Sequence, residues 1–153
     1  MLTACLASGY GSPANAQVAA APVADVSPPA AADGDATTDI TREVVQRHLK
    51  TFGAGDLEGV LADYADDAVM FTPNGPIEGK EALRSTFTEL IAEWGQPGTT
   101  FNLQQERYEG EHGYTLWTAE TSANVYELGM DGFVVRDGKI VAQFFGAKVT
   151  PKK

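Results

Sequence analysis

The chain has 153 residues, 43% of them hydrophobic, enough for one domain with one core. Its 21 acidic residues against 11 basic ones give a net charge of −10, which argues against nucleic-acid or anionic-membrane binding, since both need Lys and Arg to displace counterions. One cysteine, Cys5, excludes an intrachain disulfide or a thiolate cluster, and two histidines, His48 and His112, exclude a multi-histidine zinc centre, so no metal or cofactor is expected.

Residues 1–38 are rich in Ala, Pro, Ser and Gly and carry almost no large apolar side chain after Leu6. Such a segment buries too little surface to offset its ordering entropy, and it is expected to be a flexible tether. Leu2-Thr3-Ala4-Cys5 resembles a lipobox, in which the Cys takes a lipid anchor. Ala14-Asn15-Ala16 resembles a small-x-small signal-peptidase site. Both point to export, periplasmic or secreted. The basic and apolar regions that normally precede such signals are not found ahead of Leu2, so a cytoplasmic protein with an irregular N-terminus stays open.

From Asp39 to Ala54 the pattern predicts a helix, capped by Thr38 or Asp39. Ile40, Val44, Val45, Leu49 and Phe52 form its apolar stripe, and His48 sits on that stripe. Gly53 and Gly55 end it. Asp56 can cap a second helix, Leu57 to Tyr64. Ala65-Asp66-Asp67-Ala68 then reads as a turn, Val69–Thr72 as a strand, and Ile77-Glu78 as its short partner beyond Pro73-Asn74-Gly75-Pro76. A third helix follows Gly79 and runs to Trp94, burying Leu83, Phe87, Leu90, Ile91 and Trp94. Strands are expected at Thr100–Tyr108, Tyr114–Ala123, Met130–Arg136 and Ile140–Val149, with a short one at Asn124–Glu127. Asp137-Gly138 is a hairpin signal, since both tolerate positive φ. Three helices followed by a meander make an α+β domain over residues 39–150. Phe133 with Val134, and Phe144 with Phe145, put apolar residues on both faces of a strand. One face packs on the helices. The other is expected to pack on a second copy, since large exposed apolar patches are unusual on monomers.

This order of elements resembles the nuclear-transport-factor-2-like superfamily, which includes SnoaL-like cyclases and ketosteroid isomerases. The resemblance rests on Val45-Gln46-Arg47-His48 through Ala54-Gly55-Asp56-Leu57 to Ala65-Asp66-Asp67-Ala68. A second piece is Met130-Asp131-Gly132-Phe133 with Gly138-Lys139-Ile140-Val141 and Phe145-Gly146. It implies a cystatin-like cone: a curved antiparallel sheet wrapped around a long N-terminal helix, with two further helices and a hollow inside. It also implies functional positions. The isomerases' first-helix tyrosine donor falls at His48, and their neutral aspartic acid falls at Asp131. Those isomerases are the well-known case of a carboxylic acid kept neutral by an apolar site. Their general base, an aspartate, falls at Thr72, and a hydroxyl cannot shuttle protons near neutral pH as a carboxylate does.

The expectation is therefore an exported domain that binds a small hydrophobic molecule. His48 and Asp131 are its candidate acid–base pair, for enolisation, dehydration or cyclisation, with Asp131 orienting the imidazole or raising its pKa. Tyr64, Thr72, Phe101, Trp117 and Phe133 are the candidate ligand contacts. A non-catalytic ligand- or protein-binding module is the alternative, with His48 and the aromatics as plain core and Asp131 as a turn residue beside Gly129 and Gly132.

Overall fold

A computed structural model describes residues 36–153. The lipobox, the cleavage site and nearly all of the tether lie outside the described residues. The described chain forms α1 (Ala36–Gly53), α2 (Leu57–Ala62), β1 (Tyr64–Thr72), β2 (Gly75–Glu78), α3 (Lys80–Trp94), β3 (Thr100–Glu109), β4 (His112–Glu120), β5 (Asn124–Arg136) and β6 (Lys139–Pro151).

Helix α1 buries Thr41, Val44, Val45 and His48, one face at helical spacing. It starts three residues before the expected boundary. Thr38 is thus inside the helix and does not cap it; its hydroxyl accepts from Gly110 N at 2.9 Å. Thr41 Oγ1 donates to Gly110 O at 2.7 Å, so two threonines clamp α1 to the β3–β4 turn. Ile40 drops out of the stripe and is 47% exposed, because Thr41 holds the inward position. Asp56 caps α2 as expected, accepting from Gly59 N at 2.9 Å.

Six strands form one curved sheet in the order β2-β1-β6-β5-β4-β3. The pairings are antiparallel except that of β1 with β6, which is parallel. The expected Ala65–Ala68 turn is instead a bulge within β1. Tyr64 pairs with Ile140 and Val69 with Ala142, so the extra residues loop out between them. Tyr64 is accordingly the first residue of a strand and not the last of a helix. Lys80 pairs with Asp66 at 2.8 Å over this bulge, and Gly79 N donates to Ala68 O. Further register shifts at Leu103/Gln105, Trp117/Ala119, Tyr126/Leu128 and Val134/Val135 bend the sheet; bulges are the usual means of curving one. The last two expected strands before the hairpin, Asn124–Glu127 and Met130–Arg136, are one continuous strand, β5. At the hairpin itself Asp137 and Gly138 take φ of 50° and 71°, as the Asp-Gly pair predicts.

The main core lies between α1, α2 and α3 and the inner sheet face, around Val45, Val60, Tyr64, Leu83, Phe133 and Ile140. A second cluster, Trp117, Ala119 and Tyr126 with Trp94, Phe145 and Ala147 packed on it, occupies the other end of the same face. A hollow lies where the two clusters meet.

Candidate functional site

The hollow measures about 110 Å³ and is bounded by α1, β1, α3, β3, β4, β5 and β6. Nearly half of its lining residues are aromatic: Phe52, Phe87, Trp94, Phe101, Trp117, Tyr126 and Phe145. Both tryptophans of the chain face it. Its polar members are His48, Thr72, Thr86, Asp131 and Gln143.

Asp131 lies in the middle of β5, paired with Thr115 on one side and Phe145 on the other, and so is no turn residue. Its carboxyl is buried and accepts two hydrogen bonds. Trp117 Nε1 donates to Oδ2 at 2.7 Å, and Gln143 Nε2 donates to Oδ1 at 2.8 Å. The indole reaches the carboxyl by lying flat against Gly129, where a Cβ would stand 2.4 Å from its ring carbons. Any larger residue at 129 would displace Trp117. Beyond Gln143 the network continues, since Tyr64 OH donates to Gln143 Oε1. Burial pushes the Asp131 carboxyl above its ordinary range, and the hydrogen bonds from Trp117 and Gln143 only partly offset that. The Tyr64 hydroxyl is pushed well above its ordinary value, by burial first and then by the nearby Asp131 and Asp63 carboxyls.

His48 is also buried, but among rings. Tyr64, Phe87 and Phe133 meet its imidazole edge-on at centroid distances of 5.4, 5.8 and 5.7 Å. Burial lowers its pKa from 6.5 to about 4, so the ring is neutral near pH 7. Nδ1 is buried without a hydrogen-bond partner among the described residues. This corrects the expected pairing. Asp131 takes Trp117 and Gln143 as its partners, and the imidazole shifts down, because no carboxylate bonds it and the rings around it remove water.

Thr72 lines the hollow, yet its hydroxyl belongs to the β1–β2 turn: it donates to Gly75 O at 2.9 Å and accepts from Asn74 N at 3.2 Å. Phe101 and Trp117 line the hollow as expected. Tyr64 and Phe133 do not; they lie behind it, packed on His48. The sequence reading missed Gln143, which joins Tyr64 to Asp131. Its signal was present: one amide within the apolar run Ile140-Val141-Ala142-Gln143-Phe144-Phe145. It also missed Glu93, whose carboxylate accepts from Thr121, Asn124 and Tyr126 and thereby fixes the Tyr126 ring in the wall.

A curved sheet folded over a long helix around an apolar hollow defines a nuclear-transport-factor-2-like protein. Within that superfamily the chain belongs to the SnoaL-like domain family, whose model matches residues 45–143. Solved structures share the fold at low identity. An NTF2-like protein of unknown function from Mesorhizobium loti is 21% identical, with a TM-score of 0.62 over 74% of this chain and 95% of that one. A proposed ketosteroid isomerase from Kribbella flavida DSM 17836 is 16% identical, with a TM-score of 0.62 over 76% and 83%. A cystatin-fold protein from Novosphingobium aromaticivorans is 17% identical, with a TM-score of 0.58 over 69% and 97%. At these identities the likeness speaks for the fold alone.

Proposed function

We propose that the domain binds a small hydrophobic molecule in the hollow, with a carbonyl or hydroxyl oxygen set beside Asp131. The observation that carries this reading is a buried carboxyl held by Trp117 and Gln143 at the wall of a largely apolar, ring-rich cavity. Pockets of this composition, apolar with a few convergent polar groups, are the usual form of small-molecule sites. Titration with α-tetralone, an uncharged bicyclic ketone, tests it. The indole N–H resonances of Trp94 and Trp117 should shift and saturate, and Asp131→Leu should weaken binding. Indole resonances that stay put at saturating ketone would sink the proposal.

A second reading, acid–base catalysis, is favoured by His48 alone. A neutral imidazole at the hollow's wall with an unpartnered Nδ1 can accept a proton, although burial makes it a weaker base than a free imidazole. In an enolisation the α-C–H bond breaks and its proton passes to the imidazole. The electron pair moves to the ketone oxygen beside Asp131, whose carboxyl burial shifts towards its neutral, donating form. Thr72 takes no part, since its hydroxyl is engaged in the turn. Deuterium exchange at the α-carbon of bound α-tetralone, faster than in buffer, is the expected sign. If exchange is absent while binding persists, the domain is a binder only. Thr72→Asp should add ketosteroid isomerisation if the pocket keeps the isomerases' geometry.

The outer sheet face supports a homodimer in this proposal. Phe71, Leu128, Met130 and Phe144 are exposed there, and Phe71 stacks on Phe144 at 5.1 Å. The Leu2–Cys5 motif supports an exported, lipid-anchored form, which incorporation of labelled palmitate in the producing cell, and its loss in Cys5→Ser, would test.

A further inference from the structure

A second hollow, of about 380 Å³, lies beyond the aromatic end of the first. Phe52, Trp94 and Phe101 line both. The rest of the outer wall is Ile91, the end of α1 at Gly53 with Ala54 and Gly55, and the loop after α3, where Gly95 and Gly98 alternate with the polar Gln96 and Thr99. We infer that these three rings are a door between two halves of one site, and that its ligand is an uncharged, elongated amphiphile. Its hydroxyl or carbonyl sits beside Asp131, and its apolar body passes Phe101 into the outer half. This inference rests on the ligand-binding reading above and names the ligand class.

Size is the first support. The inner hollow alone falls below the roughly 300–1,000 Å³ of ordinary small-molecule sites, and with the outer one it falls within that range. The second support is the freedom of Phe101. It is 45% exposed and sits on β3, the last strand of the sheet. Its ring contacts are Trp94 at 6.1 Å and Trp117 at 5.7 Å. Both are tilted contacts, and a rotation of this half-exposed side chain about χ1 towards solvent gives them up. Trp94 and Trp117 also touch each other, at 5.5 Å, and Trp117 bonds Asp131. The door is thus one ring away from the carboxyl's partner. Charge is the third support. Among the described residues no Lys or Arg lines either hollow, and the chain carries −10 overall. An anionic ligand finds no countercharge. A cation would have to give up its hydration to enter a wall that is apolar apart from a few uncharged groups and the one buried carboxyl.

Calorimetry with phenol, 4-butylphenol and 4-octylphenol tests the inference, with octanoate and octyltrimethylammonium as charged controls. In the wild type, affinity should rise by roughly tenfold or more from phenol to 4-octylphenol, as burial of methylenes requires. The charged controls should bind at least about tenfold more weakly than 4-octylphenol, since each must lose its hydration on entering. Ile91→Trp, which fills the outer hollow, should remove the chain-length gain and leave phenol affinity within about twofold. Thr99→Trp, on the exposed loop across that hollow, should do the same and serves if the first variant misfolds. A flat chain-length series in the wild type, a gain that survives both variants, or octanoate binding as tightly as 4-octylphenol would each overturn the inference and leave the inner site standing. Failure of every phenol, phenol itself included, would overturn the ligand-binding reading and this inference with it.

Discussion

The two faces of the sheet invert the usual arrangement. Along β5 and β6 the inner face carries Asp131 and Gln143 among its rings, both buried. The outer face of the same strands carries Leu128, Met130 and Phe144, all exposed. Neighbouring residues on a strand point to opposite faces, so Asp131 and Met130 differ by one residue and by a whole environment. An ordinary half-buried strand would place the acid outside and the Met inside. Here the acid inside is matched by Trp117 and Gln143, and the greasy side outside is matched by nothing on the described chain. In the proposal made above, the first inversion serves a ligand and the second serves another copy.

The sharpest test of that contrast compares Phe133 with Phe144. Phe133→Ala removes a fully buried ring and should cost about 3–5 kcal/mol in denaturant unfolding. Phe144→Ala, measured at dilution low enough to give monomer, should cost well under about 1 kcal/mol. Equal costs would mean that the outer face is part of the monomer's own core.

Next in size is the pH dependence set by His48. The folded pKa of about 4 lies below the unfolded 6.5, so the unfolded chain takes up the proton first. This contribution is fully favourable above pH 6.5 and is lost as pH falls towards 4. The loss amounts to about 3 kcal/mol at 1.36 kcal/mol per pH unit. Asp131 slopes the other way: its carboxyl is raised in the fold, so it gains stability as pH falls from its folded pKa towards 3.8. Urea unfolding of wild type and His48→Phe at pH 7 and pH 4.5 separates the two. The variant should lose the steep fall and keep the Asp131 slope.

Gln143→Leu should cost about 1–3 kcal/mol, because it leaves the Tyr64 hydroxyl buried without an acceptor. It should also raise the Asp131 pKa further, since one of the donors to the carboxylate is lost, and carboxyl 13C shifts would report that. An unmoved Asp131 titration would show that the amide only fills space. The smallest stability effect belongs to Phe144→Lys, within about 0.5 kcal/mol for the monomer. The same variant should move sedimentation from dimer to monomer if a copy covers the outer face.

Much of the fold was legible because its signals are local. The α1 stripe from Val44 to Phe52, the Asp56 cap and the Asp137-Gly138 hairpin each depend on a few neighbouring residues and came out as read. The β1 bulge did not. Ala65-Asp66-Asp67-Ala68 has the composition of a turn, and only the pairing of Tyr64 with Ile140 and Val69 with Ala142, some 75 residues downstream, keeps it in the sheet. The site divides the same way. His48, Asp131 and Thr72, placed by the family resemblance, and Phe101 and Trp117 do line the hollow. Tyr64 and Phe133 were displaced from it because which ring faces a cavity and which lies behind it is settled by packing depth, which periodicity does not encode.

The sequence by itself determined the element order, the excess of acidic over basic residues, and the place of an imidazole on an apolar helix stripe. Those follow from spacing and composition along the chain. Only the tertiary structure decided which partners each group has. Asp131 bonds Trp117, 14 residues away, and Gln143, 12 away, each on a neighbouring strand. His48, 83 positions before Asp131, is desolvated by rings from β1, α3 and β5. A side chain's protonation depends on the water it loses and the donors it meets, and both are set by parts of the chain remote from it in sequence.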